Sequence, residues 1–244
     1  MEGLENQFFF SEENFLLVAR SFFRQEDLRN LREKIMKRFG EVFTEVMNPR
    51  RAMADELGIA QDETRLHQDY YEIWKHAALE RLSPLLPRFD KVIFPPQVRI
   101  VRDRKSFVPW HQDEAYMLAL GPLGHREVLT VFLPLNDRPR EYPSVEFICN
   151  ANQQAVNHIT RPGFLLNSFD VPDYEMMKSS ECLSPELELG DVFVFGKHVM
   201  HRTRHAKEIF EPRLSMEFRL TTDQALISGK DYYDLKTQDF FLKE

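Results

Sequence analysis

The chain reads as mainly β with flanking helices, a sandwich or jelly roll with N-terminal helices packed on one sheet, and three observations lead there. Its 244 residues are a one-domain length for an all-β or mixed fold. Between residues 92 and 221, short alternating segments follow one another with loops between them and no long helix. That pattern belongs to a sandwich or jelly roll rather than a parallel sheet. Residues 15–86, by contrast, carry mainly helical spacing.

Phe15–Arg20 (FLLVAR) is a short strand that leads into a helix over Gln25–Phe39. There Leu28, Leu31, Ile35 and Phe39 recur at helical spacing, and Gly40 stands where a C-cap belongs. A second helix is expected over about 68–82, with Trp74, Ala78 and Leu82 on one stripe and Pro84 and Pro87 as breakers. After Pro96 the strands are Gln97–Arg102, parts of Val128–Leu135, Val145–Ile148, Phe164–Asn167, Val192–Phe195 and Leu214–Leu220. No repeat, low-complexity tract or Gly/Ser linker interrupts the chain, so residues 1–244 are read as one domain. Within it 1–90 is mainly helical support, 91–222 the β core and 223–244 a C-terminal segment. The loops 40–62, 138–158 and 168–186 are long for connectors and suit a cover over a site. Tyr142, Phe147, Phe169, Tyr174 and Met176 in them suit a small amphiphilic metabolite, and suit loop packing equally.

A net charge of −7 argues against non-specific binding to nucleic acid or an anionic membrane. Cys149 and Cys182 make no disulfide framework and match no Cys-based metal spacing. The N-terminus has no basic region followed by an apolar run, and no apolar stretch approaches the roughly 20 residues of a membrane span. The expected location is cytoplasmic.

The chemistry gathers around Pro109-Trp110-His111-Gln112-Asp113. In extended backbone, residues i and i+2 point to one side, so His111 and Asp113 can bind one cation together. His67-Gln68-Asp69 repeats the tripeptide but borders a helical segment, where i and i+2 diverge by about 200° and cannot chelate. Farther along, the strand-like run GDVFVFGKHVMHRTRH (190–205) ends in His198, His201 and His205, with His201 88 positions after Asp113. One imidazole from it completes two histidines and a carboxylate, a set that leaves positions open on Fe(II) and suits O₂ activation. His201 is favoured because Arg213 follows it by 12 residues, with Ser215 on the same face of the last strand. A guanidinium anchors the far carboxylate of a dicarboxylate co-substrate through its two-pronged donor set, and Thr203 could add a hydroxyl.

Together these motifs resemble the phytanoyl-CoA dioxygenase-like family. FLLVARSFFRQEDLRNLREKI is similar to its N-terminal strand and helix, QVRIV…WHQDE to the strand and first ligand pair, VLTVFLPLND to the next strand, and GDVFVFGKHVMHRT…PRLSMEFRL to the C-terminal ligand and co-substrate block. The resemblance implies a cupin-like double-stranded β-helix using Fe(II), 2-oxoglutarate and O₂ to oxidise a C–H bond, with succinate and CO₂ as by-products. It implies His111, Asp113 and His201 as metal ligands and Arg213 with Thr203 at 2-oxoglutarate. A carboxylate at position 113 sets the chain apart from halide-binding relatives. SVEFICNANQQAV stands where the family often has a Pro-Gly-Ser-His-like segment, and Phe132 where a tryptophan is common, so the substrate pocket departs from the pattern.

Gln97, Arg99 and Val101 share one strand face. Gln97 is taken as a further contact to 2-oxoglutarate. Arg99, if it points inward, needs an anionic partner, which could be co-substrate, substrate or a protein carboxylate. Arg126 and Phe132 complete the residues expected at the substrate. Two other readings compete. Arg213 and Arg219 stand in the Arg-x5-Arg spacing of AlkB-like nucleic-acid demethylases, although the chain is acidic and the gap between Asp113 and His201 long. A non-redox cupin-like metal protein is the second. A small-molecule substrate is expected, hydroxylation is the default outcome, and oligomeric state is not readable.

Overall fold

The computed structural model describes residues 7–9, 16–45, 71–74, 88–101, 107–117, 127–137, 144–148, 155–161, 168–170, 181–204, 213–222, 232–237 and 239–241. In chain order its elements are β1 (Gln7–Phe9), β2 (Leu16–Ala19), α1 (Gln25–Glu45), β3 (Lys91–Val101), α2 (Asp113–Met117), β4 (Val128–Pro134), β5 (Val145–Ile148), β6 (Ile159–Arg161) and β7 (Ser168–Asp170). There follow β8 (Cys182–Leu183), β9 (Val192–Gly196), β10 (His201–Thr203), β11 (Arg213–Thr221), β12 (Tyr232–Asp234) and β13 (Asp239–Phe241). The strands form an eight-stranded sheet, β1-β2-β9-β4-β11-β3-β12-β13, a three-stranded sheet, β10-β5-β8, and the hairpin-like pair β6-β7. Every pairing is antiparallel.

Register divides the large sheet into two faces with different duties. Leu17, Val194, Val131 and Phe218 stand opposite one another across β2, β9, β4 and β11. The adjacent row is Val18, Phe193, Phe132, Glu217 and Gln97, and it must point the other way because side chains alternate along a strand. The first face is apolar throughout and lies in one buried cluster with Leu28, Leu31 and Ile35 of α1. Trp74, from a helical turn at 71–74, joins it with ring centroids 5.2 Å from both Phe23 and Phe218. Each such side chain contributes about 1.5–3 kcal/mol by leaving water. The second face meets the small sheet, where Phe147 packs edge-on against Phe193 and Phe195 at 5.0 and 5.4 Å.

The Gly190-Asp191 pair just before β9 holds the turn between β2 and α1. Gly190 has φ +102°, a left-handed conformation that favours glycine, and a Cβ there would sit 2.7 Å from the carbonyl oxygen of Phe23. Phe23 N–H donates to the Gly190 carbonyl at 2.9 Å. Asp191 accepts from Arg20 Nη1 (2.7 Å) and from the N–H groups of Ser21 (2.8 Å) and Glu188 (2.9 Å). The Gly-Asp pair therefore pins the β2–α1 turn to the strand that precedes the histidine cluster.

Several expectations are corrected. Helix α1 runs through Gly40 to Glu45, since one interior glycine costs only about 1 kcal/mol and the residues after it continue the helix. Of the second helix, residues 71–74 are helical and the rest lies outside the described residues, as do Phe164–Asn167. Within the C-terminal segment, β12 and β13 extend the large sheet beyond β3. Between Glu217 and Arg219 the β3–β11 register shifts, where β3 carries Pro95 and Pro96, which have no N–H to give the ladder. Among the described residues no helix is long and apolar enough to cross a membrane.

Candidate metal centre

His111 and His201 face each other across a single antiparallel bridge, each N–H donating to the other's carbonyl at 3.0 Å. Directly opposed residues in such a bridge project to the same side, and the two ring centroids are 4.1 Å apart. The rings are also oriented alike. His111 Nδ1 lies 2.8 Å from the Pro109 carbonyl and His201 Nδ1 2.8 Å from that of Val199. A carbonyl only accepts, so each Nδ1 carries the hydrogen, and in the neutral ring the lone pair is then on Nε2. Burial, reinforced by the neighbouring His111, pushes the His201 pKa down to about 4, which keeps that imidazole neutral and ligand-ready at physiological pH.

Asp113 completes the set. The chain is not extended through it, as the sequence suggested; His111 is in the bridge, and Asp113 begins the short helix α2. The bend at Gln112 still brings the carboxylate round, with Oδ1 3.7 Å from both Nε2 atoms. The three donors lie within 4.8 Å of one another, and all three residues are buried. Ligands at right angles on one first-row metal are roughly 3 Å apart, so small movements would close the set around an ion.

The two oxygens of Asp113 have different partners. Oδ2 accepts from the Thr130 hydroxyl and lies 3.4 Å from Arg219 Nη2, whose guanidinium is also 3.3 Å from Glu217. Burial would raise this carboxyl, but Arg219 and the two imidazoles outweigh it and hold Asp113 well below the usual carboxylate range. With Oδ2 occupied, Oδ1 is the oxygen turned to the histidines. Neither Thr130 nor Arg219 was singled out as part of the metal site from sequence. Thr130 was visible as a lone polar residue in the apolar run VLTVFLP, and Arg219 as the end of an alternating polar row on β11.

That row, Arg213, Ser215, Glu217 and Arg219, lies on the inner face of β11 opposite Pro134, Phe132 and Thr130 of β4. Arg213 is 2% exposed, donates through Nη1 to the Ser144 carbonyl at 3.1 Å, and lies over the Phe132 ring at 5.4 Å. Burial lowers its pKa to about 10, with Glu217 opposing, so it stays charged at neutral pH. Ser215 Oγ is buried and has no hydrogen-bond partner among the described residues. A buried cation beside an unsatisfied hydroxyl is a chemical fit for a carboxylate ligand.

The other expected residues fall as follows. Thr203 is buried, and its Oγ1 accepts from Val108 N–H at 3.0 Å, leaving its own O–H to donate. Thr203 pairs with Val145, next to the Ser144 that Arg213 holds, so both reach the same corner. Gln97 stands exposed opposite Glu217, four pairs along the ladder from the Val101–Arg213 pair, so its place is beside Glu217 rather than at the Arg213 corner. Arg99 is 8% exposed and opposite Ser215, the buried inward cation that alternation suggested. Phe132 is 3% exposed and belongs to the inner core under Arg213, stacked on Phe193, which makes it a wall rather than an open substrate surface. Arg126, His205 and the His67–Asp69 copy lie outside the described residues. His198 is no part of the cluster; its Nε2 is 2.8 Å from Glu114.

Solved structures share this architecture. EvdO2 from Micromonospora carbonacea var. aurantiaca matches at TM-score 0.55 and 15% identity over 86% of each chain. ThoJ, a non-heme monooxygenase, matches at 0.54 and 12% over 90% of this chain and 76% of its own. A looser match is SnoN, a non-heme alpha ketoglutarate dependent epimerase from nogalamycin biosynthesis, at 0.45 and 15% over 90% and 81%. SnoN has also been solved with Fe3+ and alpha ketoglutarate. The ThoJ match shows that this fold is one that a non-heme monooxygenase has. No protein-family model matches the chain, and no curated protein matches it in sequence.

Proposed function

We propose that this chain is an Fe(II)- and 2-oxoglutarate-dependent dioxygenase, built as one domain on a double-stranded β-helix, that hydroxylates an unactivated C–H bond of a small-molecule metabolite. The observation that carries the reading is the convergence of two lone-pair-bearing Nε2 atoms and Asp113 Oδ1 on one buried point. His111, Asp113 and His201 would hold the iron. Arg213, Ser215 and Thr203 would hold the far carboxylate of 2-oxoglutarate. Together, the bound metal and co-substrate supply an O₂-derived oxidant, with succinate and CO₂ released.

The chain's own work is placement and dryness. Thr130 and Arg219 fix Asp113 by one oxygen and leave the other for the metal. Phe195 and Phe147 back the His201 ring at 4.6 and 6.1 Å and keep water from that side. Arg213 lies against the Phe132 face and holds the Ser144 carbonyl, two contacts that help orient its fork. Arg99 offers a cation for a carboxylate on the substrate. The Arg213–Arg219 spacing needs no nucleic acid to account for it, since Arg219 is engaged by Asp113 and Glu217.

An anaerobic titration with Fe(II) and 2-oxoglutarate tests the reading through the visible charge-transfer band of the chelate. The native chain is expected to show the band and His111→Ala to lose it. Iron uptake with no band, and no succinate formed with any candidate substrate, would refute the co-substrate reading in favour of a non-redox cupin-like protein.

A further inference from the structure

Gln112, the residue between the first two candidate ligands, is itself fully buried, and its polar groups reach two other segments. Its side-chain Nε2 donates to the His198 carbonyl at 2.8 Å, in the turn that leads to His201. Its Oε1 accepts from Val156 N–H at 2.9 Å. Its backbone N–H donates to Nε2 of His158 at 2.9 Å. His158 Nδ1 in turn lies 2.8 Å from the Val156 carbonyl. This is the same ring-to-carbonyl contact, two residues back, that orients His111 and His201, and it makes His158 Nε2 a lone-pair acceptor for the same reason. In the two ligands that lone pair is left for a metal; in His158 it is spent on the peptide that joins them. Val156 packs with Trp110, Ile148 and Met200, so the 155–158 segment is seated against both ligand-bearing stretches.

We propose that His158 is a positioning residue for the metal centre. It rests on the metal reading of His111, Asp113 and His201. The Gln112 peptide sits at the bend that separates bridge-bound His111 from helix-borne Asp113, and its N–H is held by His158 Nε2. An acceptor fixed at that N–H sets the angle of the bend, and hence the spread between His111 Nε2 and Asp113 Oδ1. Partners one step removed from a ligand commonly change metal affinity 10–100-fold when lost.

The test uses the full chain and metal alone. Anaerobic Fe(II) binding is measured by calorimetry, and the visible ligand-field spectrum of the Co(II) form reports geometry. His158→Leu removes the acceptor. His158→Asn places an amide oxygen near the Nδ1 position, and His158→Gln places one near Nε2. His158→Leu and His158→Asn are expected to weaken Fe(II) binding about tenfold or more and to change the Co(II) spectrum. His158→Gln is expected to stay within about threefold of the native chain and keep its spectrum. Native affinity and spectrum in all three, or a Gln variant that falls as far as the Asn variant, would overturn the proposal. Should His158→Leu not fold, the Asn and Gln contrast decides alone. A native chain that takes up no Fe(II) overturns the metal reading and this inference with it, whereas native uptake matched by every variant overturns this inference only.

Discussion

Replacing Arg213 with methionine should separate stability from function in an uncommon direction. The guanidinium is 2% exposed, and burial lowers its pKa from the usual 12.5 to about 10. At about 1.4 kcal/mol per pKa unit, the site disfavours the charged form by roughly 3 kcal/mol when no ligand carboxylate is present. Its hydrogen bond to the Ser144 carbonyl and its contact with Phe132 return part of that. Exchange of a buried ion for an apolar chain of similar volume is often neutral or stabilising by about 1–4 kcal/mol. We therefore expect Arg213→Met to leave the metal-free protein as stable as the native chain or up to about 2 kcal/mol more stable, read by urea denaturation. Loss of one partner of a buried, hydrogen-bonded charge pair costs about 2–5 kcal/mol of affinity. The 2-oxoglutarate dissociation constant, read from the charge-transfer band, should then rise at least about 30-fold while Fe(II) binding holds. A metal-free variant destabilised by more than about 2 kcal/mol would mean that the guanidinium is a structural pin and not a ligand anchor. Unchanged 2-oxoglutarate affinity would refute the assignment outright.

Three further outcomes follow from the site and its frame. His201 titrates near 4 in the fold and near 6.5 when unfolded, so between these pH values the unfolded chain binds more protons and acid favours it. The metal-free protein should lose roughly 3 kcal/mol from this group as pH falls from 6.5 to 4, a slope that His201→Phe should remove. Thr130→Val deletes the hydroxyl on Asp113 Oδ2 without changing shape; Fe(II) affinity by calorimetry should fall about tenfold, and no change would mean that Arg219 alone holds the carboxylate. Gly190→Ala puts a Cβ 2.7 Å from the Phe23 oxygen at φ +102°, and should lower stability by about 2 kcal/mol or more, visible as an earlier thermal transition with the native charge-transfer band kept in the folded fraction.

What could be read from sequence was whatever alternation and spacing encode. The period of two in RLSMEFRL put Arg213 and Ser215 on one face, and the structure keeps them there. The period of helix α1 named Leu28, Leu31 and Ile35, all of which are buried against the sheet. The choice of His201 over His198 came from its distance to Arg213, and the structure sets His201 opposite His111 in a bridge. Contacts made by backbone geometry stayed hidden. Nothing in Trp110-His111-Gln112-Asp113 says that extended pairing is confined to a bridge at His111 and a helix starts at Asp113, because both conformations satisfy the same local residues. Gln112 gave no signal either, since its value lies in bonds to residues 44 and 86 positions away. Gln97 was assigned by its face, and a face does not say how far along the strand a ligand sits.

The division of the large sheet explains how a polar site can exist in so apolar a fold. On the outer face Leu214, Met216, Phe218 and Leu220 join α1 and Trp74 in one continuous core, and no charge is needed there. On the inner face the alternate residues of the same strand are Arg213, Ser215, Glu217 and Arg219, each of which would be costly to bury alone. Two of the costs offset each other within the chain, since Arg219 meets both Glu217 and Asp113. Arg213 and Ser215 lie at the end of the row away from that network, where the Ser215 hydroxyl still lacks a partner among the described residues. The outer face of β11 is therefore all core, and the inner row ends in a buried cation and a buried hydroxyl, at the place where the proposed dicarboxylate would end. Substitutions on the outer face should change melting temperature before they change ligand affinity. Those in the inner row should do the reverse, and a row that failed to show this asymmetry would have to be structural after all.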